Sequence, residues 1–169
     1  MNEYHFTLTY QLDERDGDHD DIVERFGAAG KTDFMLGVGR SGYLALSIER
    51  GGRSAEAVLR SAIADVSRLL PGARLLEVGP DFAGLTDIAD KVGVSRQNMR
   101  KLMLGHGDFP APVHGGGTSI WHAAEVLAWL RDTAGYVIDE PSMAAARAAW
   151  RANAELEQMR QQRAGCATA

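Results

Sequence analysis

Residues 85–130 read LTDIADKVGVSRQNMRKLMLGHGDFPAPVHGGGTSIWHAAEVLAWL, and the rest of the chain is organised around them. Thr86 is positioned to cap a first short helix, because a threonine hydroxyl accepts a hydrogen bond from an unpaired amide of the first turn. Ile88, Ala89 and Val92 fall on one helical face. Gly93 ends that helix, since glycine enters the left-handed conformation at no steric cost, and Val94 plugs the turn. Ser95 caps a second helix, 95–104, whose inward face carries Met99 and Leu102.

The small residue Ala89, Gly93 four residues later, the apolar residues either side of that glycine, and Met99 with Leu102 form a constrained pattern. It resembles the helix-turn-helix of bacterial DNA-binding regulators. The continuation through Phe109-Pro110-Ala111-Pro112-Val113, Gly115 to Gly117, Ile120-Trp121 and Glu125 to Leu130 is similar to the wing and closing helix of the AlpA/excisionase group. That group is related to the DNA-binding domain of the MerR family. The resemblance covers about 50 of the 169 residues. It implies a winged helix-turn-helix domain at 81–133 with double-stranded DNA as partner. A homodimer follows as an expectation, because two-fold pairing places two recognition helices in successive major grooves.

The residue types fit that chemistry. Phosphate contacts supply affinity and register, while contacts to base edges supply sequence. With Met99 and Leu102 inward, the groove-facing residues come from Arg96, Gln97, Asn98, Arg100 and Lys101. Arginine bridges O6 and N7 of guanine, and glutamine or asparagine bridges N6 and N7 of adenine. Ser95 and Thr86, at helix starts, suit phosphates. The wing departs from its relatives. Where they carry Arg or Lys, residues 113–119 offer only His114 and two hydroxyls.

Upstream, Phe6, Leu8, Tyr10 and Leu12 alternate as in a half-buried strand. The acidic run 13–21 fails the EF-hand pattern, with Asp21 where glycine is needed and Gly27 where glutamate is needed, so it reads as a solvated loop leading into a helix of Ile22, Val23 and Phe26. Gly37-Val38-Gly39-Arg40-Ser41-Gly42 is a formal GxGxxG, but alternating residues on both sides make it a hairpin turn between strands rather than a dinucleotide loop. Ser54 caps a long helix with an apolar stripe from Val58 to Leu70, and Ala73 to Val78 forms a last strand. The predicted class is therefore α+β: a ferredoxin-like βαββαβ domain at 1–80, the winged domain at 81–133, and a loop and C-terminal helix with a frayed end at 134–169.

The net charge of −5 is unusual for a DNA-binding protein. Residues 1–83 hold 14 acids and 9 bases, residues 84–132 five of each, and residues 133–169 four of each, so the excess acidity lies in the first half. The second helix carries Arg96, Arg100 and Lys101 with no acid between Lys91 and Asp108. His106, His114 and His122 recur every eight residues, which matches no metal-ligand spacing. Neither a catalytic set nor a cofactor or metal site emerges, and an enzyme is not expected. The single Cys166 excludes an internal disulfide, and no apolar run approaches the roughly 18 residues of a membrane span. A cytoplasmic bacterial protein is expected, its N-terminal domain serving dimerisation, a protein partner or a small ligand. The competing reading is a protein–protein interaction module that docks a partner without specific DNA binding; the overall acidity and the wing lacking Lys and Arg favour it.

Overall fold

Alternation along β1 (Asn2–Gln11) puts Tyr4, Phe6, Leu8 and Tyr10 on one side, and all four are buried. The computed structural model describes residues 1–37 and 40–166. In it β1 is flanked on both sides. β3 (Tyr43–Gly52) pairs with it antiparallel over its whole length, from Asn2 opposite Gly52 to Gln11 opposite Tyr43. β4 (Arg74–Gly79) pairs with the second half of β1, Thr7 lying opposite Gly79. β2 (Phe34–Gly37) adds outside β3, so the antiparallel order is β2–β3–β1–β4. α1 (His19–Ala28) follows β1, and α2 (Ala55–Leu69) follows β3. Ile22 and Phe26 from α1, and Val58, Ala62 and Val66 from α2, meet the inner side chains of the sheet in one core. The architecture is mixed α+β with antiparallel sheets.

One local expectation needs correction. The acidic run is not simply solvated. Asp16 closes a single 3-10 turn (Glu14–Asp16), is 1% exposed, and accepts the Asp13 N–H at 2.8 Å. Asp18 caps α1 by accepting the Asp21 N–H. Gly42, at φ +81°, leads straight into β3 rather than into a helix. Val38 and Gly39, the middle of the formal glycine motif, lie outside the described residues.

The connector after β4 also carries structure. Phe82 and Ala83 form β5 (Phe82–Ala83), which pairs with β7 (Ser119–His122); β6 (His114–Gly115) completes a β5–β7–β6 sheet. α3 (Leu85–Lys91), α4 (Arg96–Gly105) and α5 (Ala123–Asp132) pack with this small sheet around a second core that includes Ile88, Ala89, Met99, Trp121, Leu127 and Leu130. Ala89 is fully buried, and a side chain of that size lets the neighbouring helices close on it.

The last helix, α6 (Glu140–Cys166), is longer than its apolar marks predict. Gly165 and Cys166 are still helical, where a frayed end is expected from sequence. It serves both cores. Met143 and Ala146 join the second, whereas Ala145, Ala148 and Ala149 join the first. The alanines bring its backbone close to β1 and β4. An exposed strand edge is a ready template for unwanted pairing. Here α6 covers the β4 edge: Asn153 Oδ1 accepts the Val78 N–H and its Nδ2 donates to Val78 O, both at 2.8 Å, and Arg160 donates to Leu76 O at 2.7 Å. Among the described residues no helix is long and apolar enough to cross a membrane.

Candidate nucleic-acid interface

The turn between α3 and α4 is built as its glycine predicts. Gly93 sits at φ +72°, its N–H donates to Asp90 O, and the Val94 N–H reaches back to Ala89 O at 3.0 Å. This pair of bonds satisfies carbonyls that the helix end leaves open and fixes the direction of the exit. Val92, Val94 and Leu102 are half-buried against the second core, and Met99 is fully buried. Fully burying one such side chain contributes roughly 1.5–3 kcal/mol, so α4 is anchored from behind. Ser95 caps it, Oγ accepting the Asn98 N–H at 3.1 Å.

Thr86 is a correction. The cap of α3 is Gly84, whose N–H donates to Asp87 Oδ2 at 2.7 Å, and Thr86 is an exposed residue of the first turn. An aspartate three positions on is long enough to reach back over the turn, which leaves the threonine hydroxyl facing solvent.

With Met99 inward, the outward face of α4 follows from helical geometry. Gln97, Arg100, Lys101 and Leu104 are three, one and three positions apart and share one exposed stripe. Arg96 and Asn98, also exposed, flank it at about 100° either side of Gln97. All five polar residues expected on this helix are therefore at its surface, though not equally central. Leu104 is a member of the stripe that the sequence reading did not single out. Its i, i+4 spacing from Arg100 and i, i+7 spacing from Gln97 carry the signal.

The charge along this helix is of one sign, with no acid between Ser95 and Gly107. Among the described residues Arg96, Arg100 and Lys101 form no ion pair. Asp108, the nearest acid downstream, accepts the Trp129 Nε1–H at 3.1 Å.

The segment between α4 and the hairpin is pinned by aromatic contacts. Trp121 Nε1 donates to Pro110 O at 2.9 Å, and Phe109 packs edge-on between Trp121 and Trp129. Both tryptophans are buried, as core residues. The hairpin pairs His114 with Ile120 and Gly115 with Ser119. His114 is exposed and its ring lies over Gly116, in space that a Cβ there would occupy. The three histidines do not converge: His106 packs on Trp129, His114 lies at the start of β6, and His122 is bonded to Asp81.

That last contact belongs to a junction the sequence does not advertise. Asp81, 1% exposed, binds His122 Nδ1 through Oδ1 at 2.6 Å and accepts Asn153 Nδ2 through Oδ2 at 2.8 Å. The His122 ring stacks on Trp150 at 4.1 Å. One carboxylate thus ties the connector, the end of β7 and α6 together, and through Asn153 reaches the backbone of β4. Nearby, burial and the Asp81 charge push the Glu77 carboxyl above the ordinary range, against the opposing pull of Arg160. The junction links the connector and β7 through α6 to β4 of the first sheet.

No family model matches the chain, and comparison with curated proteins and with solved structures gives no match.

Proposed function

We propose that this chain is a sequence-specific double-stranded DNA-binding transcriptional regulator that reads the major groove with α4. The observation that carries the reading is the outward face of that helix: Arg96, Arg100 and Lys101 are exposed, free of ion pairs among the described residues, and joined by Gln97 and Asn98. Cations that neutralise phosphates supply affinity, and bidentate Arg, Gln or Asn pairs each supply about 1–3 kcal/mol of discrimination. The exposed Thr86 hydroxyl and the Ser95 amide lie at the starts of the two helices, where phosphates are favoured. His114, exposed on β6, is the hairpin's candidate for a neighbouring phosphate or groove edge.

On this reading residues 81–133 form a winged helix-turn-helix domain of the AlpA/excisionase type, and residues 1–80 a ferredoxin-like domain. The strand order β2–β3–β1–β4 with two helices on one face supports the second assignment. The first domain serves dimerisation or sensing, and residues 134–169 brace both domains through α6. The protein acts as a homodimer in the cytoplasm, with neither catalysis nor a cofactor involved.

The test is selection from random duplex DNA with the purified full-length chain at near-physiological salt. The expected result is an enriched site, in the form of an inverted repeat, that is lost with Gln97→Ala and weakened with Arg96→Ala. Retention no tighter than that of bulk DNA, with no enriched sequence, overturns the proposal. That outcome favours a module that docks a protein partner, a reading the hairpin's lack of Lys and Arg would suit.

A further inference from the structure

Leu104 is 70% exposed in the last turn of α4. It is not a displaced core residue, because Met99, Leu102 and Met103 already supply the inward face. Nor does it cap the helix, which runs on to Gly105. It stands between Arg100 and Lys101 in the projection of the helix, four and three residues from them, in the same outward stripe as Gln97. Single exposed apolar side chains occur elsewhere on this chain, Met35 and Val137 among them; what sets Leu104 apart is its place between Arg100 and Lys101, where a partner lying along that stripe would take its surface out of water.

The chemistry of what covers it is narrow if α4 lies in a major groove. The base edges in that groove present hydrogen-bond donors and acceptors, with one apolar group among them, the C5-methyl of thymine. We infer that Leu104 is a specificity-determining residue that packs on a thymine methyl; the inference rests on the DNA reading proposed above. Gln97 and Leu104 are seven residues apart, about 10 Å along the helix axis. Since base pairs are spaced about 3.4 Å apart, the thymine falls within about three base pairs of the base read by Gln97.

Replacing thymine by deoxyuridine removes the methyl and leaves every hydrogen-bonding group in place. Each thymine of the selected site is replaced in turn, and binding of the wild-type chain, Leu104→Ala and Leu104→Met is measured by titration. The expected result for the wild type is a loss of about four-fold at one thymine within about three base pairs of the Gln97-dependent base, the size that burying one methylene-sized group gives. Leu104→Met keeps most of that sensitivity, and Leu104→Ala loses it while still selecting the same positions through Gln97 and Arg100. If the wild type tolerates deoxyuridine at every thymine, or Leu104→Ala is as sensitive as the wild type, the assignment is overturned while the DNA reading stands. If no site is selected at all, the DNA reading fails first and the assignment falls with it.

Discussion

Around Asp65 the first sheet unit gathers three cations onto one buried carboxylate; along α4 three cations stand together with no carboxylate at all. Lys31 Nζ and Arg50 Nη2 each approach Asp65 Oδ2 to 2.9 Å, and Arg68 bonds the other oxygen. Arg50 also reaches Asp33 at 2.6 Å and Ser61 at 2.8 Å, and lies over the Phe34 ring. These charges complete the fold: they join β3 to α2 and to the end of the α1–β2 connection. On α4, Arg96 and Arg100 are i, i+4 neighbours of like charge, an arrangement that costs a helix about 0.2–0.5 kcal/mol. A polyanion laid across that face would relieve the cost. The contrast teaches that net charge is a poor guide here. The chain is acidic overall, yet the outward face of α4 carries three cations and no acid.

The comparison can be broken first at its buried end. Asp65→Ala should have the largest effect on stability, about 3 kcal/mol in denaturant unfolding, because three charge-assisted hydrogen bonds are lost from a buried carboxylate while the cations left behind are partly exposed. Burial alone would raise the Asp65 carboxyl; the hydrogen bonds from Lys31, Arg50 and Arg68 outweigh it and hold it below the usual range. A group depressed in the folded state stabilises above its unfolded value, near 3.9, and loses that contribution as pH falls through the folded value. The wild type should therefore lose stability below about pH 4 by an amount that Asp65→Ala does not show. Identical acid unfolding profiles for the two would mean the cluster contributes nothing beyond packing.

A smaller break lies at the junction between the two units. Asn153→Ala leaves the Val78 N–H and C=O and one oxygen of Asp81 without their partner, all three away from water. An unsatisfied buried group costs about 1–3 kcal/mol, and partial relaxation of α6 keeps the sum within that range. Hydrogen exchange at the Val78 amide reads the change directly: it should accelerate in Asn153→Ala far more than the amides of β3. Uniform acceleration would show that α6 is not an edge cover but simply part of the core.

What the sequence discloses and what it hides divide along contact distance. The strands, α2 and the pair α3–α4 are legible because their signals are periodic and local: alternation at Phe6, Leu8 and Tyr10, a stripe from Val58 to Val66, and Gly93 four residues after Ala89. Asp81 is opaque for the opposite reason. It sits in a glycine- and proline-containing connector that reads as loop, and its partners are 41 and 72 residues away. Asn153 lies in a polar, alanine-rich helix where nothing in the spacing marks it as buried. The helix start at Gly84 is missed because an aspartate three residues later replaces the threonine cap. Leu104 carries no signal beyond its angular position, which the spacing from Gln97 and Arg100 places outward.

The smallest effect on stability should come from the exposed end of the comparison. Arg100→Ala and Lys101→Ala touch no partner among the described residues, so each should leave unfolding within about 0.5 kcal/mol of the wild type, and Arg100→Ala should gain slightly from the relieved repulsion with Arg96. Their effect belongs to binding. Each cation that sits on a phosphate contributes about 0.9 to the slope of log affinity against log salt, so removing one lowers the slope by about one and weakens all duplexes alike. A cation that bridges a guanine edge instead leaves the slope nearly unchanged and relaxes one position of the site. Measuring both variants across a salt series therefore assigns each residue to backbone or base. If either variant loses stability as Asp65→Ala does, its charge is structural after all, and the distinction between the two clusters disappears.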